Sequence, residues 1–539
     1  MTGAATADGH RAAGPARAAS RGRLRGRLSV TAGAAAAAVT LFACYLLQSR
    51  TVPAGSDGAS QALQAWDMLH GNPLLRGWRL TDVSFYTTEL PQYMLIESVR
   101  GLSSDVMHVG GAMSYTLLVL LAAFLARGRA RGAEGLTRAL VAGGIMLAPQ
   151  LGSGTGTLLL SPDHTGTGVP VLLILLLIDV APARWHVPVL AGLGLAATAL
   201  ADAMALFVAV IPLVLVCVIR VFQGVVLHRE RLRAHWYELS LAAAAAASVP
   251  AEMAVTALIR AHGGWQVHGL RTALASAGML PGNLRLTGEG LLELFGADIA
   301  GAGSARAVAF AVIHLAGVAC VIAGFGMAVR RFSRRDTLIE PVLVTGIVID
   351  VAAYLAGVQA VNMLSTREIA PVLPFGAVLA GRLLGGRLAG GRSGGAAALR
   401  YGLAAAGACY AAMLGYAAAQ PAAPPQYADL TAWLTGHHLT SGLSGYSQAN
   451  IVTATSGGTV SLRPVAPAGK YLTARTWNAS GTWFDPSRHS AGYLVLSSSG
   501  AYEVSGRQAV ATFGRPAGTY RYRDYTIMVW DENLLARLR

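Results

Sequence analysis

The sequence predicts a polytopic α-helical membrane protein of about eleven transmembrane helices, with a small C-terminal α+β domain outside the membrane. Three observations carry this. Of its 539 residues, 54% are hydrophobic and only 13% charged, whereas a soluble domain keeps about a quarter of its residues charged. Apolar runs near the ~20 residues that span a bilayer recur as far as residue 419. Arginines cluster in the short segments between alternate runs, the pattern of positive-inside topology.

The runs fall near 29–48, 107–126, 137–151, 168–181, 187–201, 203–219, 238–258, 305–329, 341–360, 369–385 and 401–419. Several are Ala/Gly-rich, which suits helices packed closely on one another. A basic tail, 1–28, precedes them, and no small-residue cleavage site follows the first run, so it reads as a retained helix rather than a signal peptide. The segments with Arg127, Arg129 and Arg131, with Arg229, Arg231 and Arg233, with Arg330, Arg331, Arg334 and Arg335, and with Arg387 and Arg392 belong on the side of that tail. That side is the cytoplasm, and eleven spans then leave the C-terminus outside. The runs 137–151 and 187–201 are short for a span. Asp202 falls between two runs with almost no loop, so it belongs at an outward hairpin turn, since a carboxylate at mid-membrane is costly. Asp179 and Asp350 fall near helix ends.

The net charge of +15 does not point to nucleic acid, because the arginines follow the membrane connections rather than one face. Cys44, Cys217, Cys320 and Cys409 all lie in apolar runs, so no disulfide staples the soluble part. After a Pro-rich linker at 420–426, the soluble part runs over 427–539. It reads as a helix near 427–438 followed by β-leaning pieces at 450–455, 459–465, 492–496 and 525–530. Trp477, Trp483, Tyr493 and Trp530 read as its core in preference to a sugar-binding patch. Asn478-Ala479-Ser480 reads as a chance glycosylation sequon.

Candidate chemistry sits in the outer segments. The loop 49–106 carries a helix with an apolar stripe of Ala59, Ala62, Trp66 and Leu69, expected to lie along the membrane surface. Asp57, just before it, can take a proton from a hydroxyl or hold a metal, and equally suits a helix N-cap. Asp82, Tyr86 and Glu89 mix acids with a ring, a combination that suits sugars and equally an interfacial aromatic belt. Asp163-His164 lies in an outer turn, where the His can relay a proton or the Asp can bond the turn itself. Arg367-Glu368 sits outside, against the positive-inside trend; the Arg suits a phosphate, or simply pairs with its neighbour.

The order of a first helix, an outer acid, a surface helix ending in Met68-Leu69-His70-Gly71-Asn72 and an aromatic–acid–Pro stretch resembles the GT-C superfamily of membrane glycosyltransferases over roughly 25–385. Over nearly its whole length the chain also resembles a group of actinobacterial integral membrane proteins. The GT-C resemblance implies a polyprenyl-phosphate-linked sugar donor, a cell-envelope glycan, lipid or protein acceptor, and transfer with inversion at the outer face. It maps the catalytic base onto Asp57 and the phosphate ligand onto Arg367, leaving Glu89, Asp82, Tyr86, Asp163, His164 and Glu368 to bind substrate. The sequence departs from the commonest pattern, which has two acids close together in the first loop: Gly58 follows Asp57, and the second acid falls to Glu89 or Asp82. A divalent cation is a possible cofactor. The alternatives are a non-catalytic membrane scaffold for envelope assembly and, third, a transporter.

Overall fold

The computed structural model describes residues 14–160, 164–267, 273–390, 394–497 and 504–538. Each apolar run overlaps a helix. The first forms the later part of α1 (Gly14–Ser49), and α4 (Asp105–Arg127), α5 (Gly132–Ile145), α7 (Gly168–Val180) and α8 (His186–Ala201) follow. Residues 206–227 form α9 (Ile211–Phe222) with a π-helical turn at each end. Then come α10 (Trp236–Ala261), α12 (Ala305–Arg330), α13 (Ile339–Ala356), α14 (Val372–Gly390) and α15 (Gly394–Ala418). Among the described residues, eight helices are long and apolar enough to cross a membrane, and α7 and α8 are shorter apolar ones. The protein is a polytopic membrane protein.

The centre of the bundle is α14, packed against α4, α5, α12 and α13. Small residues bring these backbones together, as the Ala/Gly content predicts. A Cβ on Gly324 would sit 2.7 Å from the backbone of Ala380, and one on Gly385 2.8 Å from Arg138 Cα. Gly111 on α4 faces the Leu159 carbonyl, in the π-turn after the single turn α6 (Ser153–Thr155), so closely that no side chain fits.

Charged groups collect at the two ends of the bundle. At the arginine-rich end the buried Arg382 forks onto both oxygens of Asp179 at 2.9 and 3.2 Å and reaches Glu340 at 3.4 Å. Glu230 there pairs with Arg335 at 2.7 Å and His235 at 2.9 Å. At the other end Arg50 meets Asp105 through two bonds of 2.8 Å, and Arg100 joins them. The connections at that end are the long ones. They hold α2 (Ser56–Leu69), β1 (Trp78–Leu80), α3 (Glu89–Arg100), β2 (Gln266–Val267) and α11 (Leu280–Leu294).

The C-terminal part holds α16 (Ala428–Gly436), β3 (Ser441–Ser444), α17 (Tyr446–Thr455), β4 (Ser461–Ala468), β5 (Tyr471–Ala474), β6 (Ala479–Ser480), β7 (Tyr493–Ser497), α18 (Gly506–Phe513), β8 (Gly518–Tyr522) and β9 (Tyr525–Val529). Six strands form one sheet in the order β5-β4-β3-β7-β9-β8. Side chains alternate between its faces. Leu494 and Met528 pack with Phe513 and Trp530 on one side, while Tyr493, Val495 and Ile527 pack with Leu430 and Val452 on the other. Residues 450–455, read above as β-leaning, are instead the second half of α17 and are almost wholly buried. With both faces covered, the segment shows no period to tell a helix from a strand.

The sheet domain is tied to the membrane loops by shared strands. A three-stranded sheet, β2-β1-β6, joins the loop after α1, the loop after α10 and the C-terminal domain. In it Trp78 pairs with Ser480 and Leu80 with Val267. The amphipathic α2 turns the first half of its apolar stripe to protein, while Leu69 at its end is exposed. Its Ala59 and Ala62 are fully buried in one cluster with Tyr93 of α3 and with Ile451 and Ala454 of α17.

Because its Cβ would meet backbone, Gly111→Ala should destabilise the protein by about 1–3 kcal/mol. Gly415→Ala, with nothing within 4 Å, should not. Thermal unfolding in detergent checks the pair.

Candidate functional site

Five connections at the end away from the arginine clusters converge on one cavity of about 390 Å³, lined by Asp82, His164, Asp202, Asp350 and Glu368 among apolar side chains that include Phe207 and Leu274. Each polar group arrives on a different element. Asp82 follows β1, and its loop is fixed by Ser84, whose backbone N–H and hydroxyl donate to the Ala201 and Leu200 carbonyls. His164 lies between the π-turn and α7 with a left-handed backbone (φ 35°), a conformation uncommon outside glycine. Asp202 caps the end of α8 at the hairpin turn that its position predicts. Asp350 lies on α13, and Glu368 on the 3-10 turn Met363–Ile369 before α14.

The centre of the site is an imidazole between two carboxylates. His164 Nδ1 lies 2.8 Å from Asp202 Oδ2, and Nε2 lies 3.3 Å from Glu368 Oε1. The Thr167 hydroxyl also donates to Asp202 Oδ2, and the Met204 N–H to Oδ1 at 2.9 Å. Burial alone would lower the His164 pKa, but the Asp202 and Glu368 carboxylates outweigh it and hold the imidazole well above 6.5. Burial pushes Asp202 up, and His164 with the bonds from Thr167 and Met204 brings it below the usual carboxylate range. Both shifts favour the charged forms of the pair. Asp82 moves the other way: burial raises it, and His164 and Arg367 only partly offset that. A carboxyl so raised sits nearer the working pH of a general base.

The other expected site residues lie elsewhere. Asp57 is in the first turn of α2, behind Gly55 as the N-cap, and its Oδ1 accepts a 2.7 Å bond from the Tyr446 hydroxyl of α17. Asn478 donates to the same hydroxyl at 3.0 Å, and Gln64 holds Asn478 at 2.9 Å. Asn478 is 2% exposed, so its sequon is closed to glycosylation in the fold. Glu89 is buried at the start of α3 and accepts from the Thr88 hydroxyl. The Tyr86 hydroxyl donates 2.7 Å to the Pro73 carbonyl, with its ring against Trp265. Arg367 is half-buried beside Glu368, near enough to Asp82 to lower it. Asp163 lies outside the described residues.

Tyr493 and Trp530 are core residues, as read, while Trp477 and Trp483 face the membrane loops. Trp483 packs edge-on against Trp78, and Trp477 lies near Tyr446. Asp202 and Asp350 are the site members that sequence reasoning set aside, as a turn and a helix end. A carboxylate close to an apolar run was the one signal that could have flagged them. Among the described residues, no three His, Cys, Asp or Glu side chains come together as a metal ligand set.

No family model matches the chain, and no sequence relative was found among curated proteins. Solved structures similar to it include two of the oligosaccharyltransferase of Archaeoglobus fulgidus. The archaeal oligosaccharyltransferase AglB in complex with an inhibitory peptide and a dolichol-phosphate gives a TM-score of 0.46 at 12% identity, covering 86% of this chain and 69% of that one. The same organism's oligosaccharyltransferase in complex with Zn and sulfate gives 0.45 at 12%, covering 85% and 67%. Both TM-scores lie below 0.5, a loose likeness from which no activity follows.

The raised His164 pKa gives a signed prediction. Its stabilisation is fully present below 6.5, the ordinary value, and is lost as pH rises through the raised folded value. His164→Gln, which leaves Asp202 buried without its cation, should destabilise most in that acidic range, by about 3–5 kcal/mol. The gap to wild type should close at alkaline pH. Thermal unfolding across pH in nanodiscs measures it.

Proposed function

We propose that the protein is a membrane glycosyltransferase of GT-C type, transferring a sugar from a polyprenyl-phosphate donor to a cell-envelope acceptor at the outer face, with inversion. The N-terminus is then cytoplasmic and the sheet domain extracytoplasmic, which the arginine clusters favour. The observation that carries the reading is the cavity. It is mostly apolar, falls within the ~300–1,000 Å³ range of small-molecule sites, and gathers convergent polar groups at one end of the bundle.

In this reading a lipid donor reaches the cavity from the bilayer, with its sugar among the polar groups. Asp82 takes the proton of the acceptor hydroxyl as that oxygen attacks the anomeric carbon. The bond from that carbon to the phosphate oxygen breaks on the opposite face, and the phosphate leaves with the electron pair. Negative charge grows on the leaving group, and the Arg367 guanidinium and His164 imidazolium oppose it. Asp202 keeps the imidazole charged and in place. Asp57, the base that the family resemblance implies, is a positioning residue here, since its carboxylate holds Tyr446 of the sheet domain. That same contact favours a second reading, a non-catalytic scaffold in which the loop serves to dock the domain.

Envelope and lipid-linked glycans, compared in a deletion strain rescued with variants, test this. Asp82→Asn should lower transfer by about 10²–10⁴-fold, and Asp57→Asn by less than tenfold. If Asp57→Asn abolishes the product and Asp82→Asn does not, the base is Asp57. If neither changes any glycan, the transferase reading fails and the scaffold replaces it.

A further inference from the structure

The cavity wall carries four carboxyl groups, Asp82, Asp202, Asp350 and Glu368, and one imidazole, with the Arg367 guanidinium close by. Two of the four are engaged with that imidazole, Asp202 at 2.8 Å and Glu368 at 3.3 Å. Asp350 is different. It is 95% buried by surface area, being 5% exposed, it lines the cavity, and its Oδ2 has no hydrogen-bond partner among the described residues. A buried acceptor left open in this way calls for a donor, and native structures supply one for nearly every such group.

The neighbours on its own helix do not supply that donor. Ala353 and Tyr354 lie beside it on the wall, and the Tyr354 hydroxyl is shared with Ser365 at 2.9 Å. The remaining wall near it is apolar, from Met204, Phe207 and Leu274. A carboxyl buried among apolar side chains carries its charge only with a cation beside it. A ligand that brings both a hydrogen-bond donor and positive charge satisfies both conditions at once. A neutral hydroxyl satisfies only the first.

We propose that the cavity takes an amine-bearing sugar, whose ammonium group bonds to Asp350. This rests on the transferase reading for the word sugar, and on the cavity alone for the amine. Asp350 is then the residue that sets specificity, apart from the chemistry at Asp82.

Binding to the full chain in nanodiscs, by calorimetry, tests this with three probes: glucosamine, N-acetylglucosamine and glucose, at a pH where the free amine is protonated. Glucosamine should bind at least tenfold more tightly than either neutral sugar, and Asp350→Asn should erase that preference. Equal binding of the three sugars by the wild type overturns the proposal without need of any variant. An Asp350-dependent response to manganese in place of glucosamine also overturns it, because the acids then serve a metal. An amine preference without Asp82-dependent transfer supports the cavity assignment while the transferase reading falls. Asp82-dependent transfer without an amine preference does the reverse.

Discussion

Lipid cannot solvate charge, so each ionic group near the bundle must reach an end of it or find a partner inside it. The two ends of this protein are organised by that demand. At one, Arg382 is buried between Asp179 and Glu340 and ties together α7, α13 and α14. At the other, His164 is buried between Asp202 and Glu368 and ties the turn before α7 to the hairpin after α8 and the turn before α14. Removing one member of such a set leaves the rest as uncompensated charge, which is far more costly than the net gain from the set. The first set is closed and serves the fold. The second borders a cavity, so the pairing that holds the loops together also fixes polar groups where a ligand can meet them.

The soluble domain is part of the same construction. Strand β6 extends the small sheet made by β1 and β2, and the Tyr446 hydroxyl reaches down to Asp57 on α2. A membrane loop of more than fifty residues needs such an anchor, because its own short pieces bury too little surface to hold one arrangement. The domain thereby sets the position of α2 and β1, and through β1 the approach of Asp82 to the cavity.

Much of this was legible in the chain. The eleven apolar runs, the arginine asymmetry and the composition change after Gln420 are local signals, and each has its counterpart in helices α1–α15 and the sheet domain. The sheet strands β4, β7 and β9 showed as β-leaning pieces, whereas α17 did not show as a helix because it is buried on all sides. The site was legible in its parts and not in its assembly. His164, Glu368 and Asp82 stood out as polar residues in outer segments. Asp202 and Asp350 were passed over, because nothing within a few residues of either announces a partner nearly forty positions away in one case and a cavity wall in the other. Asp57 shows the converse: a residue marked by its place in the chain order is engaged by the C-terminal domain, a contact across 389 positions that no local pattern encodes.

In the proposed topology the two charged ends lie on opposite faces of the membrane, with the cavity outside. Single cysteines at Leu274, on the cavity rim and 83% exposed, and at Ser333, in the exposed arginine-rich turn, test it most directly. Both would be placed in a background lacking Cys44, Cys217, Cys320 and Cys409, and treated in intact cells with a membrane-impermeant maleimide. The proposed topology predicts labelling of Leu274→Cys in intact cells, and of Ser333→Cys only after permeabilisation. The reverse pattern, or labelling of both in intact cells, would contradict it.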